Sequence, residues 1–141
     1  LSAIKVVIID DNKAIRRIVE EVLSLEKDFV ICGEADTVET AQSLLFVHQP
    51  DVAIIDISLN EEGGGFRLLE DMLTANLLTK AIMFSAYPAE IYSQKSLKAG
   101  AKGYLCKEQA VESLSEAIRC VHSGGIFIST DRESSRHLVS P

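Results

Sequence analysis

Four apolar runs in this chain lead straight into residues that can do chemistry. Val6-Val7-Ile8-Ile9 leads into Asp10-Asp11, and Val52-Ala53-Ile54-Ile55 into Asp56. Ala81-Ile82-Met83-Phe84 leads into Ser85, and Gly103-Tyr104-Leu105-Cys106 into Lys107. Three carboxylates gathered close and dry would repel one another, a costly arrangement without a compensating cation. A hard divalent ion meets the need, and Mg²⁺ commonly takes a few carboxylates, waters and a phosphate oxygen. A carboxylate in such a place can attack phosphorus and become an aspartyl phosphate. Lys107 and Ser85 would hold phosphoryl oxygens beside the ion, which is charge stabilisation by fixed groups. Each residue alone has an ordinary use: Asp11 could cap a helix, Ser85 could satisfy backbone, and Lys107 could be a surface charge. Their arrival together at four strand ends of one sheet is what argues for a site.

The elements that must position them follow from hydrophobic patterning. Short β-branched runs at 4–9, 28–33, 51–55, 80–84 and 102–106 alternate with helical stripes. The runs do not alternate apolar with polar, as suits parallel strands covered on both faces. The second, broken by Cys32 and Gly33, is expected at an edge. Helical spacing links Ile15, Ile18, Val19, Val22 and Leu23, then Val38, Ala41, Leu44 and Leu45, then Phe66, Leu69, Met72 and Leu73. Val111, Leu114, Ile118 and Val121 form the last stripe before Gly124-Gly125 stops the helix. Residues 88–98 have the poorest stripe, with Ile91 and Leu97 as its main apolar members. Five β/α repeats predict an α/β fold, a doubly wound five-stranded parallel sheet of order 2-1-3-4-5, flavodoxin-like. In such sheets ligands bind outside the carboxyl ends of the strands, where helix N-termini also favour an anion. Residues 1–130 are expected to form one domain, and the polar stretch 131–141 to begin a linker or tail.

Composition narrows the functions. A net charge of −7 over 141 residues disfavours direct contact with nucleic acid or anionic membranes. No apolar run approaches a membrane span and the first residues lack signal-peptide features, so a cytoplasmic location is expected. Leu1 in place of an initiator Met suggests a shortened chain. Cys32, Cys106 and Cys120 have no metal spacing and are expected as buried free thiols. His48, His122 and His137 share no ligand spacing either.

The segments Val7-Ile8-Ile9-Asp10-Asp11-Asn12, Pro50-Asp51-Val52-Ala53-Ile54-Ile55-Asp56, Phe84-Ser85-Ala86 and Gly100-Ala101-Lys102-Gly103-Tyr104-Leu105-Cys106-Lys107 resemble the signatures of response regulator receiver domains over about residues 4–128. The resemblance implies Asp56 as phosphoacceptor, Asp10 and Asp11 as the acidic metal pair, and the Ser58 backbone carbonyl as a further Mg²⁺ ligand. It implies that Ser85 and Lys107 contact the phosphoryl group and that Tyr104 is the aromatic that changes rotamer when Ser85 is drawn in. It also implies a histidine kinase or phosphotransfer protein as donor, and a homodimer on phosphorylation. The ending from Cys120 to Ser129 is similar to receivers of LuxR-type transcription regulators, so DNA is expected as a partner only through a carboxyl-terminal domain absent from this chain.

Two departures from the family stand out. The loop Leu59-Asn60-Glu61-Glu62-Gly63-Gly64-Gly65 lacks the usual Met-Pro and carries one extra residue, so its glycines read as flexible slack. Glu108 follows Lys107 where many receivers have Pro. Other classes fit less well. A haloacid dehalogenase-type phosphatase wants DxD after its first strand, which Asp10-Asp11-Asn12 is not. A flavodoxin-like electron carrier needs a hydroxyl- and glycine-rich loop at the same place. A pseudo-receiver would not need the full set of Asp10, Asp11, Asp56, Ser85 and Lys107.

Overall fold

The computed structural model describes residues 2–60 and 63–129, together with the backbone of 136–138. In chain order it contains β1 (Ile4–Ile9), α1 (Lys13–Ser24), β2 (Phe29–Ala35), α2 (Val38–His48), β3 (Val52–Asp56), α3 (Gly64–Thr74) and β4 (Lys80–Ser85). Then come α4 (Ala89–Lys98), β5 (Gly103–Cys106), a 3₁₀ turn over Lys107–Gln109, α5 (Ala110–His122), β6 (Ile126–Ile128) and β7 (Arg136–Leu138). One sheet runs β2-β1-β3-β4-β5-β6-β7. The expected order 2-1-3-4-5 is present, with β2 at the edge. The sheet goes on past the expected five strands: β6 pairs parallel with β5, and β7 pairs antiparallel with β6. Ile126-Phe127-Ile128 is apolar and follows the α5 stop directly, so it finds the open side of β5. The tail expected over 131–141 lies outside the described residues apart from that β7 backbone.

The apolar runs of β1, β3, β4 and β5 are buried on both faces because helices cover both, while the edge strand β2 leaves Val30 exposed. One face of the sheet (Val6, Ile8, Ile54, Phe84, Leu105) packs on α1 and α5 through Val19, Leu23, Leu114 and Ile118. The other (Val7, Ile9, Ile55, Met83, Tyr104) packs on α2 and α3 through Ala41, Leu45, Leu68 and Met72. The helical stripes hold with small rotations. Ile18, Leu73, Ile91 and Val111, expected in the core, are exposed, and Leu68 takes the buried place beside Leu69 and Met72. A stripe read at 3.6-residue spacing fixes a helix's apolar side only to within about one residue, and packing chooses the rest.

Helix starts are set locally. Asn12 caps α1, its side-chain oxygen accepting the N–H groups of Ala14 and Ile15 at 2.9 and 3.3 Å. Thr37 and Thr40 form a reciprocal capping box on α2. Of the thiols, Cys106 and Cys120 are buried and Cys32, on the edge strand, is half-buried; all three are free. Burial raises the thiol pKa of Cys32 and of Cys120. Among the described residues no helix is long and apolar enough to cross a membrane.

Candidate functional site

Strand register brings the expected residues together. Ile9 of β1 is level with Ile55 of β3, so Asp10 and Asp56 emerge side by side one residue later. Asp56 is level with Phe84 of β4, and Ser85 with Cys106 of β5. Side chains alternate between faces of a strand. Asp10, Asp56 and Lys107 therefore share the α1/α5 side with Ile8, Ile54 and Leu105, whereas Ser85, Tyr104 and Cys106 face the α2/α3/α4 side.

Lys107 stands two strands from Asp56 and bridges the gap with its length. Its ammonium passes 5.6 Å from the Phe84 ring centroid and lies 2.9 Å from Asp10 Oδ2 and 3.4 Å from Asp56 Oδ1. Asp10 is fully buried and Asp56 nearly so, while Asp11 is exposed at the rim. Asp10 Oδ1 accepts the Asn12 N–H at 2.9 Å, and Asp56 Oδ1 accepts the Ser58 N–H at 3.1 Å. Burial, then the neighbouring Asp10 carboxylate, push the Asp56 carboxyl above the usual range, with Asp11 adding to the rise; Lys107 and the Ser58 N–H pull the other way.

This donor set fits a hard cation. One carboxylate oxygen from each of Asp10, Asp11 and Asp56 lies within 4.8 Å of the others. Asp10 Oδ2, sealed from solvent, has the Lys107 charge beside it but no well-directed hydrogen bond. Three negative charges with oxygen-only donors and one buried oxygen short of a donor are what Mg²⁺ compensates.

On the other face Ser85 is buried, its Oγ accepting the Tyr87 N–H at 3.0 Å. Tyr104 is fully buried, and its hydroxyl donates to the Tyr87 carbonyl at 2.6 Å and less directly to that of Pro88 at 3.4 Å. Ser85 and Tyr104 thus meet at the backbone of one residue, Tyr87, in the loop entering α4, one at its N–H and the other at its carbonyl.

Several supporting residues escaped the sequence reading. Arg16 Nη1 donates to the Asp10 carbonyl at 2.8 Å, and its Nε pairs with Glu34 at 3.0 Å, steadying the loop that carries both acids. The Asn60 N–H donates to Asp11 Oδ2 at 3.0 Å, so the loop after Asp56 is tied at Asn60 to the acid at the rim. Nothing in local spacing marks either contact, since each partner is set by tertiary register. Gly65 corrects the expectation of slack. A Cβ there would sit 2.3 Å from the Asp56 carbonyl oxygen, so α3 starts in direct backbone contact with Asp56. Its N–H donates to the Ile57 carbonyl at 2.9 Å. Gly63, with φ +81° and nothing within 4 Å of its would-be Cβ, does have the open space and the backbone freedom the sequence suggested. Glu108, at the departure from Pro, lies in the 3₁₀ turn after β5. The histidines stay apart from this site: His48 ends α2, His122 ends α5, and His137 is on β7.

The class defined by this sheet and its carboxyl edge is confirmed by comparison. The chain belongs to the response regulator receiver domain family, whose description matches residues 6–119. It is 33% identical to the transcriptional regulatory protein DegU of Brevibacillus brevis over 125 residues, 89% of this chain and 52% of DegU. It is likewise 33% identical to the oxygen regulatory protein NreC of Staphylococcus carnosus over 137 residues, 96% of this chain and 62% of NreC. The chain therefore spans about half to three fifths of the length of these curated relatives. Among solved structures, a DNA-binding response regulator of the LuxR family from Staphylococcus aureus superposes with a TM-score of 0.76 at 25% identity, covering 84% of this chain and 98% of that one. This is a signalling domain of two-component systems, and the phosphatase and flavodoxin alternatives fall with that assignment.

Proposed function

We propose that the domain accepts a phosphoryl group on Asp56 from a phosphohistidine donor, a histidine kinase or a phosphotransfer protein, and thereby changes its association state. The observation that carries this reading is the buried Asp56 carboxylate, set beside Asp10 with one ammonium, Lys107, touching both. An Asp56 oxygen attacks phosphorus, and the O–P bond forms as the N–P bond of the donor breaks. The bonding pair leaves with the imidazole, which takes up a proton and departs neutral. Burial makes Asp56 basic for a carboxylate, hence a better nucleophile, and Lys107 holds a phosphoryl oxygen as its charge shifts.

Asp10, Asp11, Asp56 and the Ser58 carbonyl are the residues to hold Mg²⁺, which when bound neutralises phosphoryl charge as a Lewis acid. Ser85 gives up the Tyr87 N–H to donate its hydroxyl to another phosphoryl oxygen. Tyr104, hydrogen-bonded to the carbonyl of the same residue, Tyr87, then changes rotamer, and the loop into α4 moves. Catalysis is confined to the domain's own phosphorylation and dephosphorylation. Output, proposed as transcription, requires a DNA-binding domain that would follow residues 131–141 acting as a linker, as the LuxR-family likeness suggests.

The test is intact mass spectrometry after incubation with acetyl phosphate. One phosphoryl addition is expected with Mg²⁺, none after chelation and none in Asp56→Asn. Equal labelling of that variant refutes the assignment.

A further inference from the structure

β5 ends at Cys106, and the next residue carries the ammonium that reaches Asp10 and Asp56. How that strand end is held therefore bears on the site. Inside a parallel ladder a neighbouring strand supplies a main-chain carbonyl for each inward N–H. β6 runs beside β5 only through the pairs Gly103↔Phe127 and Tyr104↔Ile128, and it ends at Ile128. Ser129 completes the ladder with a side chain. Its N–H donates to the Tyr104 carbonyl at 2.9 Å, and its Oγ accepts the Cys106 N–H at 2.8 Å. Ser129 is 0% exposed and Cys106 3% exposed, so solvent cannot replace that acceptor. On its other side the Cys106 thiol contacts the Tyr87 carbonyl at 3.2 Å, the same carbonyl that Tyr104 engages.

We infer that Ser129 is a positioning residue for Lys107: its buried hydroxyl fixes the Cys106 peptide, and through it the strand end that presents the ammonium to Asp10 and Asp56. The inference rests on the phosphoacceptor reading above and deepens it. Without the hydroxyl the buried Cys106 N–H loses this 2.8 Å hydrogen bond, so the end of β5 shifts and takes Lys107 with it. Because Ser129 is also where the chain leaves β6, the geometry at Asp56 is coupled to the carboxyl-terminal segment.

The experiment uses the 141-residue chain with Ser129→Ala, Ser129→Thr, Ser129→Val, Lys107→Ala and the Ser129→Ala/Lys107→Ala double variant, at a temperature below every melting midpoint. Thr and Val have the same shape and differ in the hydroxyl, so their comparison is free of packing effects. The initial rate of phosphorylation by acetyl phosphate at saturating Mg²⁺ is expected to fall about tenfold for Ala and Val, the scale of a misplaced catalytic group, and to stay within about twofold for Thr. In the Lys107→Ala background, removing the hydroxyl is expected to make no further difference. The backbone amide resonance of Lys107, recorded without any donor, should move in the Ala and Val variants and return in Thr. Rates that ignore the hydroxyl overturn the inference, as does an equal further loss in the Lys107→Ala background, which marks a general structural effect. A wild-type chain that takes no phosphoryl group overturns the phosphoacceptor reading instead. In that event the Lys107 resonance still decides whether Ser129 holds that residue.

Discussion

Asp56 bears its charge where charge is disfavoured, and stability should record it. Its carboxyl is raised by burial and by Asp10, so the native state holds its proton more tightly than the unfolded chain. Stability from that group is present below the ordinary carboxylate range, about pH 4, and is lost as pH rises through the folded value. In metal-free buffer Asp56→Asn should therefore melt above wild type at pH 7, with the gap closing as pH falls toward about 4. Thermal melts across that range check it, and a gap that widens on acidification contradicts it. Lys107→Met should act oppositely, leaving Asp10 and Asp56 facing each other without their shared cation. A loss of about 1–3 kcal/mol is expected in urea melts with chelator, since the ammonium is partly solvent-exposed, and millimolar Mg²⁺ should restore much of it. The acids, Ser85 and Lys107 were legible in the sequence because each follows an apolar run, and strand ends are where an open α/β sheet does its work. Arg16, Asn60 and Ser129 were not legible, because their partners are 6, 49 and 23 residues away and are fixed only once the strands align.

Between elements, the start of α3 is the tightest joint near the site. Gly65→Ala drives a methyl group into the Asp56 carbonyl and should cost about 2 kcal/mol or more, whereas Gly63→Asn, at an open left-handed position, should stay within about 0.5 kcal/mol. Equal effects of the two in denaturant titrations would show that the close approach is relieved cheaply. The sequence marked the triple glycine but assigned it to slack, since composition does not distinguish a glycine that bends from one that yields room. α4 is the opposite case. Its poor apolar stripe was legible, and the structure buries only Ala89 and Ser96 fully along it while leaving Ile91 exposed. Tyr92 packs edge-on to Tyr87 at 5.4 Å, so α4 leans on the very loop that Ser85 and Tyr104 grip. A helix held by so few core contacts has a small gap between two positions, which a local charge event can bias.

For the whole molecule, the face to watch is built from α4, β5 and α5, where Tyr87, Ile91 and Val111 present exposed apolar surface. Phosphorylation, or its mimic beryllofluoride, should change both molar mass by light scattering and hydrogen-exchange protection over residues 88–98. Ser85→Ala combined with Tyr104→Ala should blunt both changes, and unchanged mass and protection despite full occupancy of Asp56 would rule out a switch of this kind. The doubly wound order was legible because right-handed crossovers leave few ways to wind five β/α repeats. The extension by β6 and β7 was not, because three-residue strands carry too little periodicity to be told from loop.

The central claim, that Asp56 and no other carboxylate in the cluster takes the phosphoryl group, is tested most directly by reductive trapping. Borohydride reduces an acyl phosphate to the alcohol, turning a phosphorylated aspartate into homoserine. After treatment with acetyl phosphate and Mg²⁺, peptide sequencing by mass spectrometry should find homoserine at position 56 and intact aspartate at Asp10 and Asp11. Homoserine at either of those positions, or at none despite a phosphorylated intact mass, would contradict the account.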